Sequence, residues 1–582
     1  MSKKILSDGA ELVAQNRYFM EDETWDRCVE RVVDTNIQNE MNLTKENRQK
    51  LYADFYDSIY NLRFLPAGRI LRNSGRKAGS LLNCYVLPIG DSIEEIGDYY
   101  KKSLILWSEG GGVGCNFSSL RPKNEIIKGK GGVSSGLLSF LKVSDFEAKV
   151  VESGGGRRAA GIAVIDASHP EVLDVIDAKL THGEISSYNI SIGITNEFLE
   201  KVELDDDWDL VFNQKKYTTV KARMIWDKIV TNMVRCAEPG LLNLTNLTKN
   251  NSYYFDPIIA TNPCGEVPLS AYGVCCLGSL VLPNFITGNI NTNWKLLEDT
   301  IHLGVRFLDN VLDTNRYVLK ENDISAHNTR RIGLGIIGLA DYLFTKQLRY
   351  GSEKALIEVE RLMKFIRDCA YQASIKLAQE KGAFPKYDAV PYGKASFIRK
   401  LSAQLRLDIK KYGVRNCTLL SCAPTGTISL LTGYQGGIEP LSAKGFKRVD
   451  RINERVYIHP LTIKFHDSSY PDWFIDSYDL KPQDHFETQS AIQKYLDSAV
   501  SKTINLPENT TKEDLDRLLL EYVKDLKGVT VYRDKSRKEQ IIEPLSLDEI
   551  KSALETGNYY TQLSSDEDCE ETVKCSSGTC EL

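Results

Sequence analysis

The sequence has no apolar run long enough to cross a membrane. A transmembrane helix needs about 18 or more consecutive apolar residues, and the 582 residues contain no such stretch. Residues 1–10 also lack the apolar core of a signal peptide. We therefore expect a cytoplasmic protein with no membrane partner.

The sequence has no excess of positive charge either. It carries 73 Lys and Arg against 79 Asp and Glu, a net charge of −6. A protein that covers nucleic acid needs a basic surface to displace counterions from phosphates. We therefore expect no nucleic-acid partner and only local recognition of phosphate. With 42% hydrophobic and 26% charged residues, the chain is typical of a globular protein. Its length predicts three or four domains, or fewer if a large α/β barrel is present.

The cysteines do not form the dense framework of a small secreted scaffold. There are thirteen of them, an odd number, spread over a long chain. Reduced thiols that act in catalysis or bind a metal are the expected use.

Three cysteines, Cys569, Cys575 and Cys580, lie in an acidic stretch at 564–582 that has almost no large apolar residue. Burial cannot offset the entropy of ordering such a stretch, so we expect a flexible tail. A flexible loop like the one between Cys575 and Cys580 can close into a disulfide. Zinc binding is the alternative, although three cysteines without a nearby histidine leave a tetrahedral site one ligand short.

The hydrophobic pattern divides the chain into three parts. Residues 1–62 place apolar side chains at helical spacing, as at Trp25, Cys28, Val29 and Val32. Residues 63–537 alternate short apolar runs (81–89, 161–165, 188–194, 418–423, 529–532) with helix-like stretches such as 294–319 and 354–381. Residues 538–582 hold one short helix candidate at 547–555 before the tail. Strands alternating with helices predict an α/β fold in the central part.

The pentapeptide Asn262-Pro263-Cys264-Gly265-Glu266 is the most informative motif. It flanks a thiol with an amide and a carboxylate, and further thiols stand at Cys84 and Cys275. Radical chemistry on a sugar would need this combination of groups.

Two glycine-containing stretches carry weaker signals. Gly333, Gly335 and Gly338 fit the dinucleotide fingerprint, with Glu358 about twenty residues further on. The preceding residues 323–331 are polar and do not resemble a buried strand, so the required context is missing and close helix packing is favoured. The stretch 423–429 follows an apolar strand candidate and is rich in small hydroxyl residues. It predicts either a phosphate cradle or an ordinary turn.

Several separated segments together resemble the catalytic subunit of a ribonucleotide reductase. They are residues 64–75, 83–88, 110–114, 153–158, 262–266, 275–279, 330–338, 423–429 and 528–533, in the order of that family. The resemblance implies a ten-stranded α/β barrel at 63–537 with the radical cysteine on a finger loop inside it. A short helical region at 1–62 and a flexible C-terminal segment at 538–582 would flank the barrel.

The resemblance also implies roles for individual residues. Cys264 would carry a thiyl radical that takes the 3'-hydrogen of the ribose, Glu266 would accept the 3'-hydroxyl proton, and Asn262 would hold the substrate hydroxyls. Cys84 and Cys275 would supply two electrons and become a disulfide, although the adjacent Cys276 is an alternative partner. The tail pair Cys575 and Cys580 would reduce that disulfide and be recharged by thioredoxin or glutaredoxin. The implied substrate contacts are Ala67, Asn83, Gly112, Ala423, Pro424, Thr425, Gly426 and Thr427.

The source of the radical defines the branch of the family. Relatives that import it from a second subunit have two adjacent tyrosines on a strand near the C-terminus, whereas the matching strand here reads Tyr532-Arg533. Tyr559 and Tyr560 are adjacent but lie beyond that strand, and no glycyl-radical segment is present. The branch that this chain resembles uses adenosylcobalamin as its cofactor. The motifs favour diphosphate substrates; a triphosphate-reducing enzyme and a subunit that needs a radical-generating partner remain alternatives.

Regulation is implied only in part. Asp91 and Ser92 match positions that contact a deoxynucleotide or ATP specificity effector in relatives, and Arg157 and Arg158 match the loop that transmits its identity. About 60 residues precede the barrel, too few for the ATP-sensing cone of many relatives. A monomer and a homodimer are both open. A nicotinamide dehydrogenase and a zinc-tailed nucleotide-binding regulator are the competing function classes.

Overall fold

The computed structural model describes residues 5–127, 129, 131–153, 157–181, 183–252, 254–288, 290–449, 454–466, 469–536, 542–557 and 559. The strands are β1 (Phe64–Pro66), β2 (Cys84–Val86), β3 (Gly112–Asn116), β4 (Glu152–Ser153), β5 (Arg157–Arg158), β6 (Gly161–Asp166), β7 (Tyr188–Ile194), β8 (Asp207–Phe212), β9 (Lys215–Lys221), β10 (Gly240–Asn243), β11 (Ile258–Thr261), β12 (Pro268–Ser270), β13 (Leu277–Val281), β14 (Ile286–Thr287), β15 (Asn291–Thr292), β16 (Gly333–Ile337), β17 (Gly445–Val449), β18 (Glu454–Ile458), β19 (Thr503–Leu506), β20 (Gly528–Arg533) and β21 (Ile542–Pro544).

The helices alternate with these strands through most of the chain. They are α1 (Asp8–Arg17), α2 (Trp25–Asn36), α3 (Lys45–Tyr60), α4 (Gly68–Asn73), α5 (Ile93–Ser108), α6 (Leu137–Val150), α7 (Val172–Asp177), α8 (Asn196–Glu203), α9 (Ala222–Cys236), α10 (Leu244–Lys249), α11 (Trp294–Thr314), α12 (Lys320–Thr329), α13 (Leu339–Thr345), α14 (Glu353–Lys381), α15 (Ala389–Lys394), α16 (Ser396–Arg399), α17 (Ala403–Tyr412), α18 (Gly426–Ser429), α19 (Pro460–Phe465), α20 (Pro482–Gln493), α21 (Lys512–Tyr522) and α22 (Leu547–Thr556). The fold is mixed α/β, with the three helices α1 to α3 ahead of the first strand.

Two sheets form the centre of the molecule. The larger has seven strands in the order β19-β20-β10-β7-β6-β3-β2, and the smaller has the order β1-β13-β16. Pairing is parallel from β2 to β10 and between β19 and β20, while β10 and β20 are antiparallel. Isolated bridges pair Tyr85 of β2 with Val274, Leu334 of β16 with Leu420, and Cys422 with Val500.

Strands β6 and β7 lie where the apolar runs at 161–165 and 188–194 predict them. Both are almost entirely buried, as expected for parallel strands that are covered on both faces and therefore show no polar alternation. The run at 418–423 behaves differently, because it forms only the isolated bridges of Leu420 and Cys422.

Helix α11 ends five residues before the predicted boundary at 319, at Thr314. The next residue, Asn315, is extended, and its Oδ1 accepts hydrogen bonds from Leu81 N at 2.8 Å and Ser80 Oγ at 3.0 Å. These bonds anchor the chain just before β2 to the end of α11.

Residues Gly333 to Ile337 form strand β16 itself, which corrects the expectation of close helix packing there. A Cβ atom on Gly335 would lie 2.4 Å from the carbonyl oxygen of Ser421. The missing side chain therefore allows two extended segments to approach closely. Gly333 and Gly335 lie within the strand and only Gly338, the N-cap of α13, lies at the turn into a helix, whereas a dinucleotide loop places all three glycines after the strand.

One large core runs from Leu6 to Val531 and includes the buried faces of α1 to α3. A second, small cluster contains Ile458, Ile550 and Ala553 and joins α22 to the sheet β18-β17-β21. Of the helices within the described ranges, none is both long and apolar enough to span a bilayer.

The buried carboxylate of Asp309 ties α11 to the segments that enter the smaller sheet. It accepts hydrogen bonds from Arg330 Nε at 2.8 Å, Asn416 Nδ2 at 3.0 Å and Arg415 Nε at 3.2 Å. Arg330 precedes β16, and Arg415 and Asn416 precede the 418–423 segment, so one side chain fixes the start of both.

Asp309→Ala should lower the stability by about 3 to 5 kcal/mol, because it leaves buried cationic and amide groups without their shared acceptor. The midpoint of urea denaturation measures the change. Glu298→Ala is the control, since Glu298 pairs with the exposed Lys295 at 3.3 Å and should cost no more than about 1 kcal/mol. Equal shifts for the two variants would contradict the assigned role of Asp309.

Candidate active site

The pentapeptide forms a tight loop, the finger loop (residues 262–267), between strands β11 and β12. Gly265 N donates to the carbonyl of Asn262 at 2.9 Å, and Val267 N donates to Asn262 Oδ1 at 2.9 Å. Gly265 has φ +81°, a conformation that glycine adopts without strain. The loop therefore turns back within a few residues and presents Cys264 at its tip.

Glu266 is buried within this loop, and Asn262 Nδ2 donates to its Oε2 at 2.7 Å. Burial raises the pKa of Glu266 to about 7, against the opposing effect of the Asn262 hydrogen bond. A carboxylate with that pKa exchanges protons readily at neutral pH, which is what a general base requires.

Cys84 and Cys275 face each other at the edge of the larger sheet. Cys275 N donates to the carbonyl of Cys84 at 3.0 Å, and Asn262 Nδ2 lies 3.8 Å from Cys84 Sγ. Burial raises the pKa of Cys275 well above the ordinary value, and a hydrogen bond with the Cys84 side chain raises it further. Both are free thiols in the structure, so they are placed to form a disulfide on oxidation.

Cys276 points away from this pair. Its Sγ donates to the carbonyl of Leu308 in α11 at 3.4 Å. Successive side chains of an extended segment point to opposite faces, which separates Cys276 from Cys84 and leaves Cys275 as the facing thiol.

A cavity of about 450 Å³ collects most of the predicted substrate contacts, and we call it the first cavity. It is lined by Ala67, Gly68, Asn83, Cys84, Cys264, Glu266, Leu277, Gly278, Ser279, Ala423, Pro424, Thr425, Gly426 and Ile428. Two predicted contacts, Gly112 and Thr427, are not in its wall. Gly112 pairs with Cys84 in the adjacent strand, and Thr427 is buried in α18. Asn83 Oδ1 is buried and has no hydrogen-bond partner within the described residues.

A second cavity, of about 650 Å³, also meets the finger loop. Its wall contains Ile162, Asn189, Ile190, Ser191, Ala237, Glu238, Gly240, Leu241, Leu242, Pro263, Cys264, Gly265, Val500, Ser501, Lys502, Thr503, Gly528, Val529 and Thr530. Within the part of the chain that the structure describes, Cys264 is the single residue common to both walls. The half-buried thiol therefore stands between two chambers.

Three neighbouring groups hold the finger loop in the interior. Asn189 Nδ2 donates to the carbonyl of Pro263 at 3.2 Å, while Ser421 Oγ at 3.0 Å and Ala499 N at 2.8 Å both donate to the carbonyl of Glu266. Asn189, Ser421 and Ala499 cannot be recognised as contacts from the sequence. A single residue within an apolar run carries no local signal of a partner far away along the chain.

The other predicted residues lie away from the finger loop. Asp91 accepts from Arg121 N and Nε at 2.8 Å, and Ser92 caps helix α5. Cys569, Cys575 and Cys580 lie outside the described residues, and of Arg157 and Arg158 only the backbone is described.

In the described ranges, no group of three or more His, Cys, Asp or Glu side chains is arranged to hold a metal ion.

Comparison with family models identifies the chain. The model described as "Ribonucleotide reductase, barrel domain" matches residues 82–532, and "Ribonucleotide reductase, all-alpha domain" matches residues 6–79. The chain belongs to the ribonucleotide reductase family. The first match contains the finger loop, Cys84, Cys275 and the 423–429 stretch.

Named relatives include ribonucleotide reductases of two kinds. The vitamin B12-dependent ribonucleoside-diphosphate reductase of Thermoplasma acidophilum is 36% identical over 84% of this chain, and that of Mycobacterium tuberculosis (strain CDC 1551 / Oshkosh) is also 36% identical over 84%. The ribonucleoside-diphosphate reductase subunit alpha of Chlamydia pneumoniae is 24% identical over 88%. The alignments span 66%, 72% and 57% of the three relatives, so the chain spans just under two thirds of the length of the first.

Mild oxidation of this ribonucleotide reductase should join Cys84 to Cys275 and leave Cys276 reduced, because only Cys275 faces Cys84. Peptide mapping by mass spectrometry after treatment with diamide measures the pairing. Cys276→Ser should give the same bridge, whereas Cys275→Ser should abolish it. A bridge between Cys84 and Cys276 would show that our assignment is off by one residue.

Proposed function

We propose that this protein reduces ribonucleoside diphosphates to 2'-deoxyribonucleoside diphosphates for DNA synthesis, with a thiyl radical on Cys264 and adenosylcobalamin as cofactor. The observation that carries the proposal is the position of Cys264 as the shared wall of two cavities. A radical relay needs a thiol that contacts the radical source on one side and the substrate on the other.

The first cavity suits the ribonucleotide. Its wall contains six of the eight predicted substrate contacts together with Cys264 and Glu266. Ala423 to Gly426 line it opposite the sugar-directed groups Cys84 and Glu266 in the proposed pose, which places phosphate on the small-residue stretch and ribose at the thiols. The unpartnered Oδ1 of Asn83 is available to accept a hydrogen bond from a substrate hydroxyl.

The reaction follows from these placements. The Cys264 sulfur radical takes the hydrogen atom from C3', and Glu266 accepts the proton of the 3'-hydroxyl. The C2'–O bond breaks as the 2'-hydroxyl takes a proton from one thiol of the Cys84–Cys275 pair and leaves as water. The other thiol gives its hydrogen to C2', and the two sulfurs, having supplied two electrons in total, form an S–S bond. Glu266 returns its proton to the 3'-oxygen and Cys264 returns its hydrogen to C3', so each turnover consumes two thiols and restores the radical.

We assign the second cavity to the adenosyl end of the cofactor. Cys264 lies in its wall, so an adenosyl group bound there would be next to the thiol. The polar residues in its wall are Asn189, Ser191, Glu238, Ser501, Lys502, Thr503 and Thr530. Adenosylcobalamin, when bound, supplies a carbon-centred radical by homolysis of its cobalt–carbon bond. The two relatives named as vitamin B12-dependent support this choice of cofactor.

The redox cycle requires an external source of electrons. Cys575 and Cys580 are our candidates to reduce the Cys84–Cys275 disulfide by thiol exchange, with thioredoxin or glutaredoxin recharging them. Cytoplasm is the expected compartment, because its reducing poise maintains such thiols.

A ten-stranded barrel is our reading of the two sheets together. The seven strands from β19 to β2, the strands β13 and β16, and the 418–423 segment make ten. The isolated bridges Tyr85↔Val274, Leu334↔Leu420 and Cys422↔Val500 lie on or within a few residues of these elements, which supports their closure into one barrel. We also propose three parts of the chain: a helical region at 1–62, the barrel at 63–537 and a C-terminal segment at 538–582.

Adenosylcobalamin should be required for deoxynucleotide formation, and Cys264→Ser should lower the rate by on the order of a thousandfold or more, because a hydroxyl does not form the needed radical. The assay is a panel of ribonucleoside di- and triphosphates, with and without the cofactor, in dithiothreitol so that the tail is not limiting.

Cys276→Ser is the matched control and should remain active. Full turnover without any corrinoid would favour the alternative of a separate radical-generating subunit. If Cys264→Ser still forms deoxynucleotides, the proposed mechanism is excluded. If the enzyme reduces only triphosphates, the assignment of diphosphate substrates is wrong.

We propose that helix α6 forms the contact of a homodimer. Val143, Phe146 and Val150 lie on one face of α6 at helical spacing, and they are 44%, 67% and 65% exposed. A contiguous apolar stripe of this kind is typical of an interaction site. The nearby pair Asp91–Arg121 and the capping residue Ser92 would then bind the deoxynucleotide or ATP effector close to that interface.

Phe146→Asp should weaken dimerisation by on the order of tenfold or more, because a charge would be buried where an aromatic ring is now available for packing. Light scattering coupled to size-exclusion chromatography over a dilution series measures it. Leu407→Asp is the control, since Leu407 is 62% exposed on α17. A wild-type chain that stays monomeric at all concentrations would remove the proposal.

A further inference from the structure

The carbonyl oxygen of Glu266 is held by a side chain to which neither the motifs nor the proposed chemistry gives a role. Ser421 is 1% exposed, and its Oγ donates to that carbonyl at 3.0 Å. Ala499 N donates to the same oxygen at 2.8 Å. Glu266 is therefore fixed at both ends, because Asn262 holds its carboxylate at 2.7 Å.

The backbone around Ser421 is itself rigidly placed. Ser421 N donates to the carbonyl of Leu334 in β16 at 3.2 Å, and Cys422 N donates to the carbonyl of Ala499 at 3.2 Å. The segment is thus bonded on both sides. Two residues further on, it becomes Ala423 and Pro424 in the wall of the first cavity.

The glycines of β16 make this arrangement sterically feasible. A Cβ atom on Gly335 would lie 2.4 Å from the Ser421 carbonyl oxygen, and one on Gly333 would lie 3.0 Å from the Ser421 Cβ. The first contact is closer than side chains tolerate, and the second is tight enough that Ser421 would have to shift by a few tenths of an ångström. The Gly333 to Gly335 stretch therefore lets Ser421 sit deep enough to reach the finger loop.

We propose that Ser421 is a positioning residue that sets the distance between the Glu266 carboxylate and the phosphate-facing stretch at 423–426. One short side chain connects the loop that carries the base to the segment that faces the other end of the substrate. This inference rests on the proposed function, since it assigns Ser421 a part in the same reaction.

Loss of the hydroxyl should affect chemistry more than binding. The 423–426 stretch keeps its own contacts in Ser421→Ala, so affinity for the nucleotide should change little. Of its two donors, Ser421 Oγ and Ala499 N, the Glu266 carbonyl would keep only Ala499 N. Because Glu266 would then be held less firmly, its carboxylate would be less well aligned with the 3'-hydroxyl. Small misplacements of a catalytic group reduce the rate by on the order of tenfold to a hundredfold.

The pH dependence gives an independent readout. A general base must be deprotonated, so activity falls as the pH drops through its pKa. In the wild type, burial raises the pKa of Glu266 to about 7. A looser finger loop admits water, which lowers that pKa and moves the acid limb of the kcat profile to lower pH.

The experiment compares wild type, Ser421→Ala, Ser421→Cys and Ser498→Ala with saturating adenosylcobalamin and dithiothreitol. Ser498 is the matched control, because it is 2% exposed and its Oγ has no hydrogen-bond partner in the described part of the chain. We expect Ser421→Ala to lower kcat on the order of tenfold with little change in KM and to shift the acid limb to lower pH. Ser421→Cys should recover part of kcat, since a thiol is a weak donor.

The outcomes separate this inference from the proposed function. Suppose that wild type and Ser498→Ala are active. If Ser421→Ala then has the same kcat and the same acid limb as wild type, the positioning role alone is overturned. An inactive wild type would instead count against the reductase proposal. If Ser421→Ala fails to fold, Ser421→Gly, which also lacks the hydroxyl, takes its place, and wild-type kcat and pH dependence in that variant would reject the role.

Discussion

The structure depends on holding a short polar loop inside an apolar interior. Every backbone N–H and C=O group that leaves water needs a partner, and the finger loop obtains partners from Asn189, Ser421 and Ala499 as well as from its own residues. These bonds come from three different parts of the chain. The thiol and the carboxylate of the loop are therefore fixed by the packing of the whole α/β fold rather than by local sequence.

The same interior sets the protonation of the reacting groups. Burial keeps the Cys275 thiol protonated by raising its pKa, and it brings the pKa of Glu266 to about 7. Neutral thiols carry hydrogen together with electrons, which suits reactions that transfer hydrogen atoms more than reactions that need a thiolate nucleophile. One physical effect, desolvation, thus prepares both the reductant and the base.

The sequence predicts the fold where local pattern and tertiary role agree. Strands β6 and β7 are continuous apolar runs and were located within a residue or so, whereas β16 was missed because glycine has a low strand propensity. The finger-loop residues were recognisable from their motif. The motif does not decide between Cys275 and Cys276 as the partner of Cys84, because that choice depends on which face of an extended segment meets Cys84. Ser421 was missed for the related reason that its partner lies far away in the sequence.

The two cavities have one side chain in common and otherwise separate walls among the described residues. Natural variation can therefore reshape either chamber almost independently. Changes at Ala67 or Thr425 adjust what is accepted on one side, while changes at Ser191 or Thr530 adjust the other. Under the proposed function, this separation would let the means of generating the radical change while the substrate is retained, provided that the sulfur at position 264 stays in place.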